Sequence, residues 1–249
     1  MILGFFQYYN ESKKGNLRRF LNNMVQYCDE LVAYDDGSTD DSYDICREYM
    51  PETNIIRSKE NDFCNEIAHK QLLLELALSK KPRAIVWLDC DSILDSNATN
   101  GGVKELIESG QGDLYFLHLL NFWRSHCWYR VDNQYNDLNV PTIWMNNGGL
   151  KYNIEHGLHK PQMPSGFRKH VQVSQQILHF GFATVDRIID KYLHYKEVGV
   201  TGWDLNRIID ESTLDLKQVD LNLYPESERP EAEECPTQID YSELIKGRK

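Results

Sequence analysis

The sequence predicts an α/β domain built on a mostly parallel, Rossmann-like sheet flanked by helices. Short apolar runs recur at residues 2–9, 30–34 and 83–88, separated by segments of helical periodicity. Each run ends in a polar, carboxylate-bearing tip: Asn10-Glu11, Asp35-Asp36 and Asp89-Cys90-Asp91. The 249 residues, 41% hydrophobic and 11% aromatic, can fill one large core.

The elements follow in order. The run at 2–9 is the first strand. In 15–27, Leu17, Phe20, Leu21, Met24 and Val25 fall at i, i+3, i+4, i+7 and i+8, the apolar stripe of an amphipathic helix. The strand at 30–34 runs into Asp35-Asp36-Gly37, where glycine permits a tight turn. Ser38, Thr39 and Asp40 are good N-cap types for a helix over 41–49, which Pro51 stops. Residues 54–56 form a short strand, 65–79 a Leu- and Ala-rich helix, and 83–88 the next strand. This alternation requires parallel strands joined by right-handed crossovers. There is no Gly-x-Gly-x-x-Gly and no P-loop, so a dinucleotide fold or a P-loop NTPase has no support.

Ligands of open α/β sheets collect at the carboxyl ends of the strands, where these acids lie. The strand period of two puts Asp89 and Asp91 on one side, so one ion can feel both. Two hard oxygen donors there suit Mg²⁺ or Mn²⁺ carrying a substrate phosphate. Taken alone, so short a motif is more often two solvated acids in a turn.

The second half reads as a short helix at 103–108 and strands at 113–122, 128–132, 142–145 and 177–182. A loop over 156–174 has the length of a functional segment. Thr184 caps a helix with Val185, Ile188, Ile189, Tyr192 and Leu193 on one face, and 203–211 is a shorter helix. Residues 225–249 are an acidic, Pro- and Glu-rich extended tail.

The net charge of −11 argues against whole-surface attraction to nucleic acid or anionic lipid. The balance is uneven. Between His118 and His179, six cations (Arg124, Arg130, Lys151, Lys160, Arg168, Lys169) face three acids (Asp132, Asp137, Glu155), and six of the eight histidines fall there. No apolar run approaches the ~20 residues of a membrane span, and no secretory signal pattern opens the chain. Six scattered cysteines without a Cys-x-x-Cys pair fit a reducing cytoplasm rather than a disulfide frame or a zinc site.

Tyr9-Asn10-Glu11, then Leu31-Val32-Ala33-Tyr34-Asp35-Asp36-Gly37-Ser38-Thr39-Asp40, then Trp87-Leu88-Asp89-Cys90-Asp91 resemble family 2 glycosyltransferases with the GT-A fold. The match covers about the first hundred residues. It continues more loosely through Trp123-Arg124, Tyr129-Arg130-Val131-Asp132, Gly157-Leu158-His159 and Leu178-His179-Phe180-Gly181. Lys160 departs from the His-Glu that one branch of the family carries.

The resemblance implies a nucleotide-sugar donor, UDP-linked rather than GDP-linked, a divalent metal and sugar transfer. It implies one catalytic domain over 1–224, with a donor half at 1–95 and an acceptor half at 96–224. Asp91 is then a direct metal ligand and Asp89 a ribose or metal contact. Asp35 or Asp36 accepts a hydrogen bond from the nucleobase, while Gln7, Tyr9 and Glu11 line the nucleoside pocket. Lys70 matches a basic position that touches the donor in relatives, but the same residue also reads as a solvated helix lysine. His179 matches a late histidine that completes the metal shell, and a core histidine is the alternative. An inverting enzyme needs a carboxylate base. Glu155, 24 residues before His179, suits that role, with Asp132 second and Asp204 third. His159 reads as a donor or acceptor contact. The cationic stretch suits an anionic acceptor: a phosphate-bearing glycan, a lipid-linked phosphosugar or a modified nucleic acid. Two rival readings are a nucleotidyltransferase that makes nucleotide-sugars and a non-catalytic nucleotide- or glycan-binding module. The single glycine after the first strand speaks against the former, and the intact Asp89/Asp91 pair against the latter.

Overall fold

The computed structural model describes residues 1–153, 162–199 and 205–248, the side chain of Phe63 aside. The chain divides into two compact units, residues 1–118 with 139–177 and residues 119–138 with 178–249.

The first unit opens with β1 (Ile2–Tyr8), followed by the short α1 (Glu11–Lys14), α2 (Leu17–Met24), β2 (Glu30–Asp35), α3 (Ser42–Arg47), β3 (Ile55–Arg57), α4 (Glu66–Ser79), β4 (Ala84–Trp87), β5 (Ser92–Leu94) and α5 (Val103–Ser109). β6 (Leu114–Asn121) carries the chain into the second unit, which holds β7 (Trp128–Arg130). β8 (Asn139–Met145) lies in the first, and β9 (His170–His179) again crosses the division. The second unit continues with α6 (Val185–Glu197), β10 (Leu216–Gln218) and α7 (Ser242–Lys246).

Eight strands form one sheet in the order β3-β2-β1-β4-β8-β6-β9-β5. The first four are parallel neighbours, as the crossovers require, and β8 runs antiparallel to both β4 and β6. The register sets Tyr8 beside Asp35 and Phe5 beside Trp87, so the tips of β1, β2 and β4 share one edge. β1, β2 and β4 are buried over nearly their whole length, the burial expected of strands covered on both faces. Leu3, Phe5, Val32, Ile85, Trp87 and Trp144 pack with Leu73, Leu74 and Ala77 of α4.

One expectation changes, and another is filled in. Residues 170–174 belong to β9, not to a loop. Val171 and Val173 alternate there with polar residues, and the exposed and half-buried positions alternate with them. The acidic segment after Pro225 is extended, but it lies against its own unit through many bonds. The Trp128 indole N–H donates to the Glu233 carbonyl (3.0 Å), and Arg124 donates to the Thr237 carbonyl (2.6 Å). The Glu233 carboxylate accepts from the Ser125 hydroxyl and the His126 N–H.

Candidate active site

Two acid-bearing strand tips define the site, and they differ in kind. At the tip of β2, Asp35 is fully buried. Its Oδ1 accepts the Ser38 N–H (2.8 Å), and its Oδ2 pairs with Arg57 Nε at 3.0 Å. Asp36 Oδ1 accepts the Asp62 N–H (3.0 Å), and its Oδ2 accepts the Asn61 amide (2.8 Å). His69 Nδ1 lies 3.7 Å from Asp36, with the ring stacked on Tyr34 at 4.3 Å. Burial raises the Asp36 carboxyl above the usual carboxylate range, against the Asp62 N–H and His69, which lower it. Gly37 has φ +74, and a Cβ there would stand 2.5 Å from the Glu60 carbonyl carbon. Only glycine lets the 58–62 loop close over this turn.

The segment after β1 is laced to the tip of β2. Asn10 donates its N–H to Ser38 Oγ (3.0 Å) and accepts the Thr39 N–H (2.8 Å) on its side chain. Ser12 donates to Ser42 Oγ (2.8 Å), and Lys13 to Asp40 (3.1 Å). Ser38, Asp40 and Ser42 are therefore joiners of two loops rather than groups presented to a ligand. A cleft of about 380 Å³ lies beside them, lined by Gly37, Ser38, Thr39, Arg57, Ser58 and Lys59.

The tip of β4 is a turn, closed by the Ser92 N–H on the Asp89 carbonyl at 3.0 Å. The strand-period argument for Asp89 and Asp91 thus does not apply. Burial makes the same selection by other means: Cys90 is buried, Asp89 is exposed and Asp91 is half-buried. The Cys90 thiol lies 3.5 Å from the Gln7 carbonyl. Burial first, then nearby Glu11, Cys46, Asp89 and Asp91, push its pKa well up, so it stays a neutral spacer among acids.

Lys70 is not the solvated helix lysine of the alternative reading. It is 3% exposed, paired with Glu66 at 2.6 Å, and its ammonium sits 5.0 Å from the centre of the Trp87 ring. The Gln7 amide donates to the Glu66 carbonyl at 3.4 Å. Tyr9 is 38% exposed, and Glu11 pairs with Lys14 at 2.6 Å. The structure thus brings Gln7, Lys70 and Trp87 together with the Asp-Cys-Asp turn. Glu66 is the member that sequence reasoning missed. Its place four residues before Lys70 was the available signal.

Asp132 and His179 belong to the second unit. Asp132 is held by a two-pronged ion pair from Arg130 (2.6 and 2.8 Å), with Thr213 Oγ1 at 2.9 Å. Burial would raise its pKa, but these bonds outweigh it and hold the carboxyl below the usual range. The Asp132 carboxylate is thus taken up by Arg130 and Thr213. His179 places Nδ1 2.7 Å from Asn121 Oδ1. A Cβ on Gly181 would come within 2.4 Å of both His179 Nε2 and Lys191 Nζ, so imidazole and ammonium are neighbours over that glycine. Glu155, His156, His159, Lys160 and Asp204 lie outside the described residues.

The expected cationic acceptor wall also shrinks. Arg124 pairs with the buried Glu211 at 2.8 Å, and Glu211 also accepts from the Trp123 indole and the Tyr241 hydroxyl, each at 2.7 Å. Arg130 is spent on Asp132. Lys151, Arg168 and Lys169 remain exposed.

A parallel half-sheet flanked by helices thus gathers acidic turns at its carboxyl edge, where open α/β sheets bind their ligands. The model of the family described as Glycosyl transferase family 2 matches residues 7–158, more than half of the chain, and the chain belongs to that family. Among solved structures it is similar to S. aureus TarS 1–349, at 12% identity and a TM-score of 0.47, covering 83% of this chain and 68% of that one. For a longer S. aureus TarS structure the values are 10%, 0.48, 83% and 41%, so the chain spans less than half of it. A mannosyltransferase from Pyrobaculum calidifontis, solved with GDP-Man and Mn2+, matches at 19% identity and a TM-score of 0.35, covering 47% of this chain and 34% of that one. No curated protein matches. No helix among the described residues is long and apolar enough to cross a membrane.

Proposed function

We propose that the protein moves a sugar from a nucleotide diphosphate, UDP in preference to GDP, to an acceptor hydroxyl with the help of Mn²⁺ or Mg²⁺. The observation that carries this reading is the turn at the end of β4, with Asp89 exposed and Asp91 half-buried around the buried Cys90. No third His, Cys, Asp or Glu joins them among the described residues to make a closed cage. A pair of hard oxygens fits an ion whose remaining ligands are phosphate oxygens and water. When bound, that ion supplies positive charge to the departing diphosphate.

The other roles follow from the chemistry of each group. An ionised Asp36 is acceptor-only, so it reads a ring N–H, which uracil and guanine offer and cytosine and adenine do not. Uridine over guanosine rests on the sequence resemblance. Asp35 supports the turn that aims Asp36. Gln7, Tyr9 and Glu11 line the nucleoside side, and Lys70 lies toward the diphosphate. Glu155 is the base: it takes the acceptor proton as the C1–O bond to the diphosphate breaks and the bond to the acceptor oxygen forms. For the acceptor, the exposed Lys151, Arg168 and Lys169 favour an anionic molecule such as a phosphate-bearing or lipid-linked glycan. The six free cysteines suit a cytoplasmic setting.

The experiment is a panel of nucleotide-sugars with Mn²⁺, read by product. Released nucleoside diphosphate supports transfer. Pyrophosphate would instead make the protein a nucleotidyltransferase, and binding without turnover would make it a module.

A further inference from the structure

We infer that Asn61 makes the donor site choose uracil over guanine, by capping the Asp36 oxygen that a guanine 2-amino group would need. The inference rests on the donor reading above, in which Asp36 meets the base. Asp36 is buried, and both of its carboxylate oxygens are engaged. Oδ1 accepts the Asp62 N–H at 3.0 Å, with Ser58 Oγ at 3.5 Å and His69 Nδ1 at 3.7 Å. Oδ2 accepts the Asn61 amide at 2.8 Å, its one hydrogen bond among the described residues. Facing a carboxylate, the amide turns its nitrogen inward, because its oxygen would be repelled. Backbone seats this cap. A Cβ at Gly37 would stand 2.8 Å from Asn61 N, so the glycine is what lets Asn61 come this close.

The edges of the two bases differ. Uracil presents a ring N–H between two carbonyl oxygens. Guanine presents a carbonyl oxygen, a ring N–H and an amino group, so two donors stand side by side. A bare carboxylate is acceptor-only, and its two oxygens match adjacent donors in a two-pronged pair. An open Asp36 would therefore favour guanine. Asn61 reverses this. With Oδ2 taken, the carboxylate has room for the ring N–H, and the guanine amino group meets the donor N–H of Asn61 instead of an acceptor. Burying that amino group without a partner costs binding. Uracil puts a carbonyl oxygen at the same point. The second amide N–H of Asn61, held by the Asp36 carbonyl at 3.4 Å, can turn to it. Attraction and rejection thus meet in one side chain. Asn61 is exposed, so a ligand can reach it and its truncation removes little packing.

The test is calorimetric titration of UDP, GDP and inosine diphosphate, all with Mn²⁺, into wild type and Asn61→Ala. Inosine diphosphate is the guanine nucleotide without its 2-amino group. The diphosphate and the ion are common to the three ligands, so their contributions cancel from the ratios. Wild type should bind UDP at least about tenfold more tightly than GDP, and inosine diphosphate no more weakly than GDP. Asn61→Ala frees Oδ2, so GDP should gain at least about tenfold over inosine diphosphate, while UDP weakens. A merely structural role for Asn61 would move the two purine nucleotides together, since they differ only in that amino group. An unchanged ratio of GDP to inosine diphosphate affinity in Asn61→Ala overturns the inference. So does a variant that binds neither purine nucleotide, which would make pocket size the selector. The wild-type titrations decide by themselves if the variant does not fold: GDP bound as tightly as UDP, or more tightly than inosine diphosphate, would show Oδ2 open to the amino group. Wild type that binds none of the three contradicts the donor site itself, and this inference with it.

Discussion

Two strands of this protein end in paired acids after an apolar run, yet the pairs are held differently. At the tip of β2, Asp35 is fully buried, and the Asp36 oxygens are bonded to the neighbouring loop. At the tip of β4, Asp89 is exposed and Asp91 half-buried, with the buried Cys90 between them. The difference lies in what packs on each turn. Gly37 admits the 58–62 loop against its backbone, which closes the first turn; the buried thiol at position 90 turns its two neighbours outward. One pair is built into its turn by buried bonds, and the other stands at a more exposed turn.

The largest effect that separates the tips is on turnover. Asp91→Asn should lower donor turnover by about a thousandfold while leaving the melting temperature unchanged, because it removes a ligand of the ion and little packing. Assays of nucleoside diphosphate release beside thermal melts check both halves. Asp35→Asn should do the reverse. It weakens the bonds to the Ser38 N–H and to Arg57, and it should cost about 2 kcal/mol of stability, discounted for the half-exposed arginine. Urea unfolding measures it. A variant as stable as wild type would make the β2 tip no more structural than the β4 tip. Gly37→Ala combines the positive φ with the contact to Glu60 and should cost about 1–3 kcal/mol. Its donor affinity should fall with it, since Asp36 is aimed by that turn.

The smallest effect is on pH. Burial raises Asp36, so the folded protein holds that proton more tightly than the unfolded chain does. Its contribution to stability is therefore present below the ordinary carboxylate range and is lost as pH rises through the folded pKa. UDP binding has the opposite sign. It needs the carboxylate, and it should weaken as pH falls through that same raised value. Affinity titrations at descending pH check this, and Asp36→Asn should abolish the pH dependence. Glu233, in the acidic segment after Pro225, gives a contrasting acid. Burial would raise Glu233, but its bonds from Ser125 and His126 outweigh burial and hold it below the usual range. Its stabilisation is present above the ordinary glutamate pKa and fades as pH falls through the lowered one. The environment of Trp128, read by fluorescence, should change in that acid window.

How much of this was legible in the sequence depends on whether the signal was local. The strands at 2–9, 30–34 and 83–88, the helix after Asn65 and the cap at Thr184 follow from periodicity and capping chemistry, which act over a few residues. So did the presence of acids at the strand tips. Their states were not legible, since Asp35 meets Arg57 across a crossover and Asp36 meets His69 from another element. Lys70 reads the same in sequence whether buried or solvated. The charge count over 118–179 likewise could not see Glu211 reaching Arg124. The alternation in 170–174 was visible in the letters, but polar residues outnumber apolar ones there and the strand was missed.

The central claim is that the β4 turn holds a metal ion together with the donor nucleotide. Calorimetric titration of UDP into wild type and Asp91→Asn, each with Mn²⁺ and with chelator, tests it most directly. The account predicts that wild type binds UDP far more tightly with Mn²⁺, and that Asp91→Asn, still folded, loses most of that gain. Equal UDP binding by wild type with and without chelator, or an undiminished Mn²⁺ effect in Asp91→Asn, would contradict it.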